Sequence, residues 1–201
     1  GATRSGKSTV LRTLMTGLAV GHGPDDIQFY CLDFGGGALE PMRELPHTGV
    51  VAGPDDTELV RRTIAQLQAV IRRRAAATAR PHADGYGEVF LVVDGWATLR
   101  RLGDGLEEDI TAMAAHGLAH GVHIVLTAAR WAELRPALKD QLGSRIELRL
   151  GEPAESEMDR KAARHLVYAP PGTAVTRDGR LSALATPHLD GEQHTALRSR
   201  C

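Results

Sequence analysis

The sequence predicts a three-layer α/β domain in which a mostly parallel sheet lies between helices. Three observations predict this fold class. The chain opens with a glycine-rich segment, residues 1–9, that matches the pattern G-x-x-x-x-G-K-S/T without a mismatch. Apolar segments of strand length then alternate with longer segments of helical periodicity. The clearest of the apolar segments, residues 89–94, ends in an aspartate.

The opening segment has the residue types of a phosphate-binding loop. Glycine lets the backbone turn tightly against an anion, and successive N–H groups can then bind its oxygens. Lys7 is expected to reach the β- and γ-phosphates, Ser8 to place its hydroxyl on Mg²⁺, and Thr9 to lie near the α-phosphate. The predicted cofactors are therefore ATP and Mg²⁺. The predicted nucleotide contacts in this segment are Gly1, Ser5, Gly6, Lys7, Ser8 and Thr9.

Phosphate-binding loops ordinarily follow a buried strand, whereas this sequence starts on the loop itself. An apolar strand is therefore expected to precede Gly1 in a longer protein. Residues 1–190 are predicted to form one nucleotide-binding domain, and the polar residues 191–201 a tail or linker.

Length and composition fit one well-packed domain, with 201 residues of which 42% are hydrophobic. The 24 basic and 25 acidic residues nearly cancel, and aromatic residues are only 4% of the chain, which argues against DNA as a partner. No apolar run approaches the roughly 20 residues that span a bilayer. The two cysteines, Cys31 and Cys201, have no metal-ligand spacing, which favours a reducing, cytosolic setting.

In the first half of the chain, helices and strands are predicted to alternate. A helix over residues 6–19 ends at the glycines and proline of residues 21–24. Residues 27–33 form an apolar strand that ends on Asp33, followed by a glycine-rich turn and a short helix at 38–45. Residues 50–52 are a short strand, and 58–79 a long helix that Asp55 or Asp56 can cap. The arginines of that helix favour a solvated face over nucleic-acid contact.

The strand at residues 89–94 has the pattern of a Walker B strand. A buried strand of this kind delivers a carboxylate to the edge of the sheet beside the phosphates, so Asp94 is predicted to join Ser8 in holding Mg²⁺. Many hydrolytic proteins of this class carry glutamate directly after that aspartate, as base for the attacking water. Gly95 stands there instead, which predicts slow hydrolysis or none. Asp104, Glu107 and Glu108 are alternative carboxylates, although a solvated helix start explains them as well.

The remaining elements complete the alternation. Helices are predicted at 107–120, 133–142 and 156–165, and strands at 122–127 and 145–150, the last with alternating charged and apolar residues. Asp178 and Gly179 predict a hairpin between strands at 174–176 and 181–185. Thr127, at the end of its strand, can sense the γ-phosphate or bond to local backbone. The histidines at 116, 120 and 123 lack the pattern of a metal site.

Five segments together resemble one family closely. They are residues 1–9, the segment QFYCLDFGGG at 28–37, LPH at 45–47, FLVVDGW at 90–96, and RWAELRP at 130–136. They are similar to the EccC family of FtsK/SpoIIIE-type ATPases in actinobacterial type VII (ESX) secretion, and most of all to the second of its three tandem ATPase domains. DNA-pumping relatives carry Asp-Glu where this sequence has Asp94 and Gly95. Relatives also tend to carry Pro-Gly-Arg where this chain has Thr173 after Pro-Gly.

The resemblance implies a P-loop NTPase fold of the RecA/FtsK-like kind, within the cytoplasmic part of a membrane-anchored motor. It implies firm ATP binding with weak hydrolysis, and a regulatory role through neighbouring ATPase domains of the same chain, small helical WXG100-type substrates, and a homo-hexamer. Arg130 or Arg145 would then be an arginine finger for a neighbouring subunit, or simply a surface ion-pairing residue. The rival interpretations are an active DNA translocase of the FtsK class and a substrate-binding module with a vestigial nucleotide site.

Overall fold

A computed structural model describes residues 1–77, 85–103, 105–177 and 180–183 of the chain. The predicted tail at 191–201, the proposed domain boundary at 190, the Asp178-Gly179 turn and the candidate carboxylate Asp104 lie outside these residues.

Helices and strands alternate through the first three quarters of the described chain. The α-helices are α1 (Lys7–Gly21), α2 (Thr57–Ala76), α3 (Trp96–Leu102), α4 (Leu106–Gly117), α5 (Pro136–Lys139) and α6 (Arg160–Leu166). The strands are β1 (Ile27–Asp33), β2 (Thr48–Ala52), β3 (Glu88–Asp94), β4 (Val122–Leu126), β5 (Ile146–Leu148), β6 (Thr173–Thr176) and β7 (Leu181–Ala183). Short 3₁₀ helices occupy Glu40–Glu44, Leu118–His120, Trp131–Glu133 and Pro153–Glu155.

The central sheet has four parallel strands in the order β2-β1-β3-β4 in the described part of the chain. β1 and β3 pair in continuous register from Ile27 opposite Glu88 to Asp33 opposite Asp94. Because parallel strands end at the same edge, the two aspartates lie side by side at the carboxyl edge of the sheet. Open α/β sheets bind their ligands at that edge.

Helices cover both faces of this sheet, which explains why β1 and β3 are apolar throughout rather than alternating. On one face, Leu11 and Met15 of α1 pack against Phe29 and Cys31. On the other face, α2, α3 and α4 bury a larger cluster that contains Trp96. The predicted three-layer α/β fold with a mostly parallel sheet is confirmed.

A second, antiparallel sheet in the order β5-β6-β7 follows the parallel one. The sequence predicted strands here but not their separation from the main sheet. The predicted alternation of β5 is also wrong at its start, since Ile146 is 46% exposed whereas Glu147 is 1% exposed. The Trp131 indole N–H donates a hydrogen bond to Glu147 Oε2 at 2.5 Å, which satisfies one oxygen of the buried carboxylate, while Oε1 has no partner among the described residues.

Several helix boundaries differ from the predictions. The helix predicted at 133–142 has a 3₁₀ turn before Pro136 and is α-helical only over α5. The helix predicted from 156 starts at Arg160, because the Asp159 carboxylate accepts hydrogen bonds from the backbone N–H groups of Lys161 and Ala162. α3 was not predicted, since its seven residues are too few to show helical periodicity.

Candidate nucleotide-binding site

The predicted phosphate-binding segment, residues 1–9, consists of a loop at residues 1–6 that turns sharply into the first residues of α1. Gly6 has φ +105° at the N-cap position, and Arg4 has φ +59°, which is uncommon for a residue with a side chain. Three neighbouring segments anchor the loop. The backbone nitrogen of Gly1 donates to the carbonyl of Ala128 at 3.0 Å, Ala2 N–H donates to Arg149 O at 2.6 Å, and Ser5 O accepts from the N–H of Gly172 at 3.0 Å.

Gly6 is required for steric as well as conformational reasons. A Cβ atom on Gly6 would lie 3.0 Å from the backbone N of Gly172. The segment before β6 therefore packs directly on the loop, although it lies more than 160 residues further along the chain. The sequence contains no local signal for this contact.

Lys7 arches back over the loop, where its Nζ donates a hydrogen bond to Ala2 O at 2.8 Å. Burial lowers the pKa of Lys7 below its ordinary value, while the carboxylates of Asp94 and Glu133 act in the opposite direction. The ammonium group thus lies beside the loop and within electrostatic reach of the predicted Mg²⁺ carboxylate.

Asp94 is 1% exposed and is held through both carboxylate oxygens. Its Oδ2 accepts a hydrogen bond from Ser8 Oγ at 2.5 Å, and its Oδ1 accepts one from Thr127 Oγ1 at 2.5 Å. The Thr127 hydroxyl in turn accepts from Gly95 N–H at 3.0 Å. The structure therefore brings Ser8, Asp94 and Thr127 into one chain of hydrogen bonds. Thr127 is engaged with the carboxylate of a neighbouring strand rather than with its own local backbone.

The groups described above are of the chemical types that bind Mg·ATP. Hydroxyl and carboxylate oxygens are ligands that Mg²⁺ prefers, and the N–H groups at the start of a helix favour phosphate. Ser5 Oγ is buried and has no hydrogen-bond partner among the described residues. The backbone of Thr9 lies in the first turn of α1, where its carbonyl accepts from Thr13 Oγ1 at 2.9 Å.

Gly95 has a structural reason to lack a side chain. Its φ is +87°, in the left-handed region, and a Cβ atom would lie 2.8 Å from Phe34 O. A glutamate therefore does not fit on this backbone as it stands. The close packing of the end of β1 against the end of β3 therefore leaves no room for the usual base after Asp94.

Two of the alternative carboxylates that the sequence suggested, Glu107 and Glu108, are occupied in ion pairs. Glu107, 6% exposed, lies 3.1 Å from both Arg100 and Arg135, and Glu108 lies 2.7 Å from Arg135. A carboxylate that sequence reasoning missed is Glu133, which accepts from Ala129 N–H at 3.0 Å and, together with Asp94, partly opposes the lowering of the Lys7 pKa by burial. Only the fold brings it near the loop.

The two candidate arginine fingers differ in exposure. The side chain of Arg130 is 61% exposed, and its nearest described ion-pair contact, to Glu133, is 3.9 Å long. Arg145 is half-buried, donates to the carbonyls of Lys139 at 2.8 Å and Leu142 at 3.4 Å, and lies 5.9 Å from the ring centre of Trp131. Arg145 thus has intramolecular partners that hold it in place.

Beside the site, an apolar groove of about 540 Å³ separates β4 from β5. Within the described residues β4 pairs only with β3, so its other edge faces this groove. Gly1 and Lys7 lie among the residues that line it. The apolar part of the lining includes Leu14, Leu118, Ile124, Leu142 and Ile146.

A glycine-rich loop anchored at the start of a helix, a lysine folded over it, and a serine bonded to an aspartate at the end of a central parallel strand define a P-loop ATPase fold. The family model described as FtsK/SpoIIIE matches residues 1–187, and the chain belongs to this family. Among the described residues, no helix combines the length and the apolar character that a membrane crossing requires.

Similar proteins place the chain within a subgroup of that family. It is 48% identical to the ESX-4 secretion system protein EccC4 of Mycobacterium tuberculosis over 100% of this chain and 17% of that protein. It is 46% identical to the ESX secretion system protein EccC of Thermomonospora curvata, over 96% of this chain and 16% of that protein. The chain therefore spans about a sixth of the length of these curated relatives.

A solved structure agrees with these matches. Thermomonospora curvata EccC (ATPases 2 and 3), in complex with a signal sequence peptide, is similar with a TM-score of 0.88 and 42% sequence identity. The match covers 99% of this chain and 40% of that one. The resemblance to the EccC family that the sequence motifs indicated is confirmed.

Proposed function

We propose that this chain is an ATP- and Mg²⁺-binding domain of a type VII secretion motor, with weak hydrolysis or none. The observation that carries the proposal is the bond between Ser8 and Asp94 beside Lys7 and the phosphate-binding loop. The N–H groups of the loop and Lys7 would hold the phosphates, and Ser8 with Asp94 would hold Mg²⁺, which would neutralise phosphate charge. Gly95 removes the usual base, which favours binding over turnover.

In this proposal the bound nucleotide acts as a structural and regulatory ligand. The loop already contacts three distant segments, those of Ala128, Arg149 and Gly172, so phosphate binding would bias the arrangement of all three. The similarity to EccC ATPases 2 and 3 supports a place in a tandem array. On the motifs in its sequence we assign the chain to the second domain of that array, whose neighbours would be ATPase domains of the same chain. We further propose a place at the cytoplasmic face of the membrane and a homo-hexamer.

The named relatives also suggest the substrate. One similar structure contains a signal sequence peptide, which supports small helical secretion substrates of the WXG100 class as partners.

Arg130 is the better candidate for an arginine finger toward a neighbouring subunit, because its side chain is 61% exposed. Arg145 would mainly stabilise the segment that leads into β5.

The groove beside β4 supports the predicted strand ahead of the loop. Its apolar lining and the edge of β4 would suit one more parallel strand, and the backbone nitrogen of Gly1 lies near the carboxyl end of β4 through its bond to Ala128. That strand remains a prediction.

Thermal unfolding with and without Mg·ATP tests the proposal. At a nucleotide concentration of about 100 times Kd, binding stabilises a protein by about 2.7 kcal/mol. For a domain of this size that corresponds to a rise in Tm of about 5–10 °C. Lys7→Ala should abolish the rise, whereas Lys161→Ala, which removes the same charge from the exposed surface of α6, should keep it.

Phosphate release measured on the same samples separates the rival functions. Slow release that DNA does not change is the expected result. DNA-stimulated release would contradict the proposal and favour a DNA translocase. A wild-type protein whose Tm does not respond to Mg·ATP would instead identify the site as vestigial.

A further inference from the structure

The loop that follows β1 lies directly against Asp94, the candidate Mg²⁺ ligand. Phe34 N–H donates to Asp94 O at 2.8 Å, which extends the pairing of β1 with β3 by one residue. The buried carboxylate of Asp33 then fixes the loop. It accepts hydrogen bonds from the N–H groups of Gly35 at 3.1 Å, Gly37 at 3.3 Å and Leu39 at 2.6 Å.

Gly35 leaves no room for a side chain beside the Asp94 carboxylate. A Cβ atom on Gly35 would lie 2.6 Å from Asp94 Cγ and closer still to Oδ2, the oxygen that Ser8 contacts. The φ of Gly35 is outside the left-handed region, so the backbone itself would accept alanine. The obstacle to a side chain is therefore the carboxylate and not backbone strain.

We propose that Gly35, held by Asp33, is a positioning residue that sets where the Asp94 carboxylate meets Mg²⁺. Ser8 and Thr127 fix the two oxygens of that carboxylate, and the bare backbone of Gly35 closes a third side. Because Asp94 is 1% exposed, a methyl group at position 35 has to displace its carboxylate from this bonded position. The inference rests on the proposed nucleotide site and adds a determinant of its metal affinity.

A Mg²⁺ titration of nucleotide binding measures this effect. A fluorescent ATP analogue is bound to wild type and to Gly35→Ala, first in EDTA and then with increasing MgCl₂. Altering a residue that orients a metal ligand typically costs about 10–100-fold in metal affinity. We expect the MgCl₂ concentration at half-saturation to rise by about that factor, while affinity in EDTA, which depends on Lys7 and the loop, changes little.

The control is Gly143→Ala, because a Cβ atom on Gly143 would have nothing within 4 Å. It should match wild type in both conditions. The double variant Gly35→Ala/Asp94→Ala should show the same Mg²⁺ dependence as Asp94→Ala alone, since the methyl group then has no carboxylate to displace. Should Gly35→Ala alone fail to fold, recovery of folding in the double variant would support the same contact.

The outcomes distinguish this inference from the proposed function. Wild-type protein that binds the analogue without any response to MgCl₂ would overturn both. A normal wild-type response together with an unchanged midpoint in Gly35→Ala would overturn the positioning role alone. Equal weakening of Gly35→Ala in EDTA and in MgCl₂, or additive effects in the double variant, would also contradict it.

Discussion

The carboxyl edge around Asp94 and the groove beside β4 belong to the same parallel sheet but differ in how deeply their side chains are buried. At the edge, Asp94 is 1% exposed and Trp96 and Leu99 are fully buried. In the groove, Leu118 is 70% and Ile146 46% exposed. The position of the site carboxylate is thus fixed from several directions, whereas the groove retains apolar surface. Substitutions should therefore cost much at the edge and little in the groove.

The largest stability effect is expected for Gly95→Glu. The left-handed conformation costs a side-chain residue about 1–2 kcal/mol, and the close approach of Phe34 O adds a steric cost of about 1–3 kcal/mol. Phosphate release should not rise, because the new carboxylate cannot take its place without moving β1 away from β3. Urea unfolding and a phosphate-release assay measure both effects.

The matched control for that variant is Gly105→Glu. Gly105 also lies in the left-handed region, with φ +77°, but no atom lies within 4 Å of its Cβ position. It should show the conformational cost without the steric one. Equal losses in the two variants would argue against tight packing at the Asp94 edge, and faster phosphate release in Gly95→Glu would mean that hydrolysis lacks only its base.

A smaller effect is expected for the two arginines near the groove. Arg145→Ala removes charged hydrogen bonds to two carbonyls and should lower the free energy of unfolding by about 1–2 kcal/mol. Arg130→Ala should change it by less than about 0.5 kcal/mol, because the side chain is largely exposed. If Arg130 acts on a neighbouring subunit, its loss should reduce concentration-dependent phosphate release without changing Mg·ATP affinity. The reverse ranking in stability would contradict the structural assignment of these residues.

The smallest effect is expected for Leu118→Ser in the groove. Because the Leu118 side chain is exposed, we expect the free energy of unfolding to fall by no more than about 0.5 kcal/mol. Leu99→Ala, at the buried carboxyl edge, should lower it by about 2–5 kcal/mol. Urea unfolding of both variants makes the comparison. A large loss at Leu118 would indicate that the groove is filled in solution, for instance by a strand that leads into the phosphate-binding loop.

Much of the site was readable from the sequence because its signals are local. The loop of residues 1–9 carries its own turn chemistry, and a run of apolar residues ending in Asp94 predicts a buried strand with a carboxylate at its end. The parallel sheet followed from apolar strands separated by helical segments. In the antiparallel sheet, the pairing of β6 with β7 confirms the predicted hairpin strands. The addition of β5 to that pair was not predictable in the same way, since β5 is three residues long and presents Ile146 outward and Glu147 inward.

Residues close together in the chain suffice to predict the parallel α/β fold, the glycine-rich loop with Lys7 and Ser8, and Asp94 at the end of its strand. Tertiary contacts, by contrast, set the bond between Thr127 and Asp94 and the packing of Gly172 on Gly6. They also leave no room for a side chain at Gly35 or Gly95, where the ends of β1 and β3 lie close together. These contacts join residues far apart in sequence, and their geometry depends on strand order and register, which no short stretch of the chain encodes.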